Sequence, residues 1–320
     1  MCSFLLVVCR TGFAQLIPVL GSQRAGTAMA QFLKIGVGGR AVGMGETFVA
    51  IANDASALYW NPAGITLLEK DQVIFSHTNW PVDVKHEFIG YVHKMGEQNA
   101  LGLSLISLQT DDFEETTEFQ PLGTGRFVTF SDIAVGLTIA RKMTDRFSVG
   151  LGIKYIDETL DVLHARNLFI DFGTFYKTGF GSSRFAVSVT NFGTNVEPSG
   201  TLIQRDGTKI TNFQDFSPPT IFRFGFATEV IDNATNKLTT SIQLNHLNDN
   251  AENFNIGLEY WWDSLLALRG GYRFNVDEES FAVGAGLALP FRVLELNLDV
   301  SYTDFGRLGS ASRFSAAITF

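Results

Sequence analysis

Five histidines are the side chains best suited to metal or general-base chemistry, and their spacing assembles no site. They are His77, His86, His93, His164 and His246. His86 and His93 are seven apart in one extended segment. Strand side chains alternate between faces, so the two cannot share a metal ion. A zinc site would also draw on cysteine, but Cys2 and Cys9 are the only two and both fall in the first ten residues. Gly36-Val37-Gly38-Gly39-Arg40-Ala41 fits the loose dinucleotide pattern G-x-G-x-x-A. That pattern needs a βαβ unit around it, which the flanking residues do not supply. Its glycines suit backbone packed tightly inside a lumen. With no Gly-x-Ser-x-Gly elbow present either, the sequence predicts no enzyme, no cofactor and no metal.

One charged cluster remains. Asp111, Asp112, Glu114, Glu115 and Glu118 form an acidic run that could hold divalent cations or ions bridging lipopolysaccharide. A solvated surface loop accounts for it more simply. The whole chain of 320 residues carries a net charge of −9 and no basic stripe, which excludes nucleic acid as a partner because phosphate binding needs clustered Lys and Arg.

The elements that carry these residues have period two. Leu294, Leu296, Leu298, Val300 and Tyr302 alternate with Glu295, Asn297, Asp299 and Ser301, and Phe147, Val149, Leu151, Ile153 and Tyr155 alternate with Ser148, Gly150, Gly152 and Lys154. Each such segment has one apolar face and one polar or small face. About fourteen occur between residues 72 and 320, many near ten residues long, which suits tilted strands crossing a bilayer better than soluble strands. Only 18% of residues are charged, below the roughly 25% of soluble domains. No segment beyond the N-terminus reaches the roughly 18 apolar residues of a spanning helix. An apolar chain without spanning helices can satisfy its backbone in lipid as a closed barrel.

Loop lengths agree. Every second connection is short, as at Gly96-Glu97, Thr144-Asp145 and Asp263, while the opposite set includes the two longest, 110–128 and 192–219. Bacterial barrels sort periplasmic turns from extracellular loops in this way. Trp80, Tyr176, Trp261, Trp262, Tyr272 and Tyr302 sit at strand ends, as interfacial girdles would. The chain ends in an apolar-faced strand with Phe320 last. Residues 1–14 read as a signal peptide cleaved after Ala14; lipid attachment at Cys9 is the weaker alternative, since Val7-Val8 precede it poorly.

Residues 15–70 do not alternate and read as an N-terminal plug, leaving 71–320 as barrel. Asp54 is placed to cap a short helix over 55–60, which Asn61-Pro62 stops. Here the chain resembles the PorV/PorQ family, within the wider FadL-like group of outer-membrane proteins. The resemblance rests on Gly39-Arg40-Ala41, Gly43-Met44-Gly45, Phe48-Val49-Ala50 and Asp54-Ala-Ser-Ala-Leu-Tyr-Trp-Asn61-Pro62-Ala63-Gly64. Glu46 departs from the pattern, where a second Gly followed by Ala is usual. The resemblance implies a fourteen-stranded barrel with an N-terminal hatch. Gly43, Met44, Gly45, Asn61, Pro62 and Ala63 then become the structural core of the plug.

Two functions fit. In one, the protein is a non-enzymatic partner of type IX secretion in the bacterial outer membrane. It would bind secretion components or the C-terminal domains of exported cargo through Asp111, Asp112, Glu114, Glu115, Phe213, Phe216, Pro218 and Pro219. In the other, it is a FadL-like passive transporter of hydrophobic small molecules. Because the second face of the clearest strands is Gly, Ser, Thr, Asn, Glu and Lys, a polar lumen is expected, which favours the partner role.

Overall fold

A computed structural model describes residues 26–82, 84–204 and 207–320; the expected signal peptide lies outside the described residues. Fourteen strands form a closed antiparallel barrel. In chain order they are β1 (Gln72–Trp80), β2 (Val84–Met95), β3 (Asn99–Gln109), β4 (Phe130–Lys142), β5 (Phe147–Leu160), β6 (Leu163–Lys177), β7 (Arg184–Phe192), β8 (Ile221–Asp232), β9 (Asn236–Leu247), β10 (Asn253–Trp262), β11 (Leu266–Phe274), β12 (Phe281–Pro290), β13 (Glu295–Asp304) and β14 (Ser310–Thr319). Each strand pairs with its sequence neighbours. β1 closes on β14 in the register Gln72↔Thr319 to Asn79↔Ser312, and the Phe320 amide donates to the Asp71 carbonyl at 3.0 Å. No edge is left to aggregate or to strand unpaired backbone in lipid.

Alternation decides what each face meets. Outward residues include Leu103, Leu105, Val135, Leu137, Leu151, Ile153, Leu258 and Val300, all exposed on the isolated chain. Inward positions of the same strands hold Ser104, Thr138, Lys154, Glu259, Asp299 and Ser301, all buried. The apolar face therefore looks to lipid and the polar face to the lumen, as the strand patterns predict. His86 points inward and is buried while His93 on the same strand is exposed.

The wall carries two register shifts, one in β8–β9 between Glu229 and Ile231 and one beside the lumen. The β6–β7 register shifts between Ile170 and Phe172, where Asn191 adopts φ 60°. The loose backbone there is satisfied from inside: the Asn191 amide donates to Asp171 at 2.7 Å, and Lys154 pairs with Asp171 at 2.8 Å.

The aromatic expectation needs revision. Tyr176 contacts Phe147 and Phe185, and Phe185 contacts Phe224, in an outward row across β5 to β8. Tyr272, Tyr302 and Trp262 also face out. Trp80 and Trp261 do not belong to a girdle. They share the inward parity of their strands, and their rings lie 5.3 and 5.4 Å from the guanidinium carbons of Arg313 and Arg269. Strand-end position alone could not separate these from their neighbours; parity could.

Candidate functional site

The segment before β1 fills the lumen. It comprises two short α-helices, α1 (Gly39–Gly43) and α2 (Ala57–Trp60), with 3-10 turns at Gln31–Lys34 and Pro62–Leu67. α2 starts two residues later than expected. Asp54 stands before it, its side chain accepting from the Ser56 amide at 2.9 Å and its carbonyl from the Ala57 amide at 2.9 Å. Asn61 ends α2 and starts the next turn. Its amide group donates to the carbonyls of Val49 (3.0 Å) and Thr174 (3.1 Å), and its side-chain oxygen accepts from Ala63. The Thr174 carbonyl belongs to β6, so this one side chain ties two parts of the plug to the wall.

The plug runs round the wall on glycine. At Gly43 a Cβ would lie 3.0 Å from the Gly284 Cα, and at Gly45 3.0 Å from the Gly271 Cα. These are backbone-to-backbone contacts in which each partner lacks the atom that would push them apart. Gly257 faces Met44 and Thr47, Gly225 faces Val49, Gly102 faces Leu58, Gly150 faces Pro62, and Gly173 faces Asn61. A side chain at any of these wall positions overlaps the plug. Gly45 also has φ 64°, a conformation that glycine adopts without penalty. Met44, Phe48, Val49, Trp60, Pro62, Ala63 and Ile65 are fully or nearly fully buried between the turns.

Charge fixes the same arrangement. Arg40 reaches from α1 to Glu259 of β10 with two hydrogen bonds of 2.8 and 2.9 Å and to Asp54 at 3.2 Å. Glu259 also accepts from Arg269 (2.7 Å), which binds Asp299 at 2.7 Å. Glu46, the residue that breaks the family pattern, pairs with Arg273 of β11 at 2.9 Å. Arg223 lies over Tyr59 and Trp60 at 5.8 and 5.4 Å, and Trp60 donates to the Val37 carbonyl at 3.0 Å. Below the plug a cavity of about 1250 Å³ opens at the mouth formed by the short turns, the expected periplasmic end, lined by Arg40, Asp54, Trp261, Glu259 and Asp299 among others.

The other predicted residues lie at the opposite mouth and do not converge with the plug motif. Residues 110–129 form a hairpin in which Phe113 pairs with Val128 and Glu114 with Phe127. Its acidic residues are engaged locally: Asp111 with Lys85 (3.2 Å), Asp112 with Thr129 (2.9 Å), Glu114 with the Gly125 amide (2.8 Å) and Glu115 with Arg126 (3.5 Å). Phe213 and Phe216 are half-buried, and Pro218 and Pro219 are buried. Instead of offering open anchors, this stretch clamps the start of the plug. Ser217 exchanges backbone hydrogen bonds with Thr27 and Met29, each 3.1 Å. Exposed apolar residues of the outer mouth include Leu122 (96%), Phe119 (72%), Phe127 (60%) and Phe113 (51%) on this hairpin, with Val82, Ile203 and Leu308 elsewhere. Sequence reasoning missed the wall glycines and the Arg40–Glu259 pair. The inward parity of Gly257, Gly271 and Gly284 was the available signal.

Comparison with known proteins agrees with this architecture. Solved structures of similar fold include the toluene transporter TbuX of Ralstonia pickettii, with 15% identity, 88% of this chain and 97% of that chain covered, and a TM-score of 0.61. The toluene transporter TodX of Pseudomonas putida follows at 12%, 88%, 97% and 0.58. A FadL homologue of Pseudomonas aeruginosa stands at 11%, 88%, 97% and 0.52. At these identities the likeness establishes the fold alone. No curated protein matches the chain. The family model described as type IX secretion system protein PorV matches residues 20–251. Well over half of the chain is covered, so this outer-membrane barrel belongs to the PorV family.

Proposed function

We propose that this protein is a non-enzymatic partner of type IX secretion, binding exported proteins or secretion components at its extracellular mouth. The observation that carries this reading is the way the plug is seated, by glycine-on-glycine contact and by buried ion pairs between Arg40, Glu259, Arg269 and Asp299. A hatch that moves aside must break such pairs, at about 3–5 kcal/mol for each buried charge left unpartnered. A platform keeps them and gains rigid loops. The exposed Phe113, Leu122 and Phe127 on the hairpin suit a protein contact, whose hot spots are commonly large and apolar.

The competing reading is passive transport of hydrophobic molecules, prompted by the toluene transporters of similar fold. A route for such molecules needs an apolar lining, whereas the buried inward positions here include Ser188, Thr190, Gln243, Asn245 and Asn255. Affinity purification of tagged protein from native outer membrane, with mass spectrometry of proteins and lipids, separates the two. Co-purified secretion components or exported proteins support the partner role. Bound hydrophobic molecules without protein partners would sink it.

A further inference from the structure

Paired and unpaired cations divide this molecule. Inside the barrel most cations have a carboxylate: Lys34 binds Asp249, Arg40 binds Glu259, Lys154 binds Asp171, Arg184 binds Glu229, Arg269 binds Asp299 and Arg273 binds Glu46. Such pairing is what burial demands, because an isolated charge in a dry interior is costly. Arg223 and Arg313 are held instead by hydroxyls, a carbonyl and aromatic rings, and at the mouth Lys94, Lys142, Arg146 and Lys177 also go without a carboxylate. All four line one cavity of about 610 Å³ at the periplasmic mouth, and none has an ion-pair partner among the described residues.

Their placement follows from strand parity. Lys94 shares the inward face of Phe88, Gly90 and Val92 on β2. Lys142 shares that of Thr138 and Ala140 on β4, and Lys177 that of Asp171 and Phe175 on β6. Arg146 comes from the turn before β5. The roof of the cavity is the end of the plug, Thr66, Leu67 and Leu68, with Phe175 on the wall. Lys94 is tethered by donating to the Thr66 carbonyl at 3.1 Å. Three carboxylates also line the cavity, Glu69, Glu97 and Asp145. These three are exposed, as are Arg146 and Lys177, whereas Lys94 and Lys142 are half-buried. Charges in water are screened more strongly than charges set back in the protein, so Lys94 and Lys142 govern the field at the inner end of the cavity. The cavity shares Leu67, Leu68, Glu69, Asp145, Arg146, Phe175 and Lys177 with the larger periplasmic cavity and is open to that compartment.

We propose that this pocket binds an acidic, apolar-containing segment of a periplasmic polypeptide. Three of its four cations are lysines, which are flexible point charges rather than the planar fork that fits one phosphate or carboxylate. They are spread over two strands, a turn and a third strand, which suits several carboxylates along an extended chain. Leu67, Leu68 and Phe175 give an apolar residue of that chain a place to bury. The cations face the lumen and not the outer wall, which disfavours a membrane headgroup as the occupant. This site is separate from the extracellular partner surface, and neither assignment depends on the other.

The test uses the full chain in neutral detergent and fluorescence anisotropy of two labelled peptides, one of alternating Glu and Leu, the other of alternating Lys and Leu. The Glu-Leu peptide binds, the Lys-Leu peptide does not, and binding weakens as ionic strength rises from about 0.01 M to about 0.1 M, which shortens screening from about 30 to about 10 Å. The pair Lys142→Glu and Lys177→Glu weakens binding at least about tenfold, while Lys209→Glu at the extracellular mouth changes nothing. If the double reversal impairs folding, Lys177→Gln alone gives a smaller loss in the same direction. Equal binding of both peptides, or unchanged affinity in the variants, overturns the proposal. Capture of phosphatidylglycerol in mixed micelles in place of the peptide also overturns it and gives the pocket to a lipid headgroup.

Discussion

The plug and the extracellular hairpin over residues 110–129 are both excursions from the same wall, built on opposite rules. The plug returns to the wall at each turn, through Gly43 on Gly284, Gly45 on Gly271 and Arg40 on Glu259. The hairpin touches mainly itself. The Glu115 amide donates to the Arg126 carbonyl and the Thr124 amide to the Glu115 carbonyl, each at 2.8 Å, and Thr117 and Gln120 close the tip at 3.1 and 3.3 Å, leaving Leu122 in water. One region has spent its apolar surface inside the molecule, and the other keeps it for something outside. A rigid interior with an open mouth is the division a binding platform needs.

That contrast can be broken most severely at the glycines. Gly271→Val and Gly284→Val insert side chains where backbone meets backbone. Core overpacking typically costs 1–3 kcal/mol and occasionally more, and with no flexible neighbour to yield, loss of about 3 kcal/mol or failure to fold is expected. Urea unfolding in detergent, read by heat-modifiable gel mobility, measures it. Gly270→Ala, on the outward side of β11 with open space around it, is the control and stays near the parent.

Arg40→Ala comes next. It leaves Glu259 with Arg269 as its one remaining ion-pair partner and strips Asp54 of its cation, so about 3 kcal/mol should be lost. Asn61→Ala removes three hydrogen bonds at about 1 kcal/mol each. Arg40→Ala and Asn61→Ala should combine additively only if the two ends of the plug unseat separately, which the same unfolding assay reads.

Replacing residues 112–128 by a short turn should leave barrel stability within about 0.5 kcal/mol, as for surface changes remote from packing. Co-purification of secretion partners should nevertheless be lost. A large fall in stability would erase the contrast between the two regions.

The smallest effect belongs to the seam at Asp71. Partial burial pushes its carboxyl up, but hydrogen bonds from His93, the Lys94 amide and the Tyr91 hydroxyl outweigh this and hold it below the usual carboxylate range. A carboxylate lowered on folding stabilises the fold above its unfolded value near 3.8, and that contribution disappears as pH falls through the lower folded value. Asp71→Asn should therefore be less stable than the parent at neutral pH, with the gap closing in acid below about pH 4.

The barrel was legible because lipid and lumen impose period two on every strand, and the mouth opposite the two longest loops does carry only short turns. The plug was legible as a departure from that period, and its motif residues do lie buried. The contacts that seat it were not legible. Gly284 and Gly43 are 241 positions apart, and only the closed barrel brings them together. Trp80 and Trp261 misled because they combine an interfacial residue type with inward parity. Pro218 and Pro219 misled because a long loop need not be an open one, and this one folds back onto the plug.

Locking the plug tests the central claim most directly. A side chain at Gly225 of β8 would overlap one methyl of Val49 and nothing else in the plug, so replacing both residues, Val49→Cys with Gly225→Cys, removes that methyl and offers a disulfide between plug and wall at a place where the two already touch. The account predicts that the oxidised, locked protein binds its secretion partners as well as the reduced one. Loss of function on oxidation, restored by reductant, would contradict it and make the plug a moving hatch.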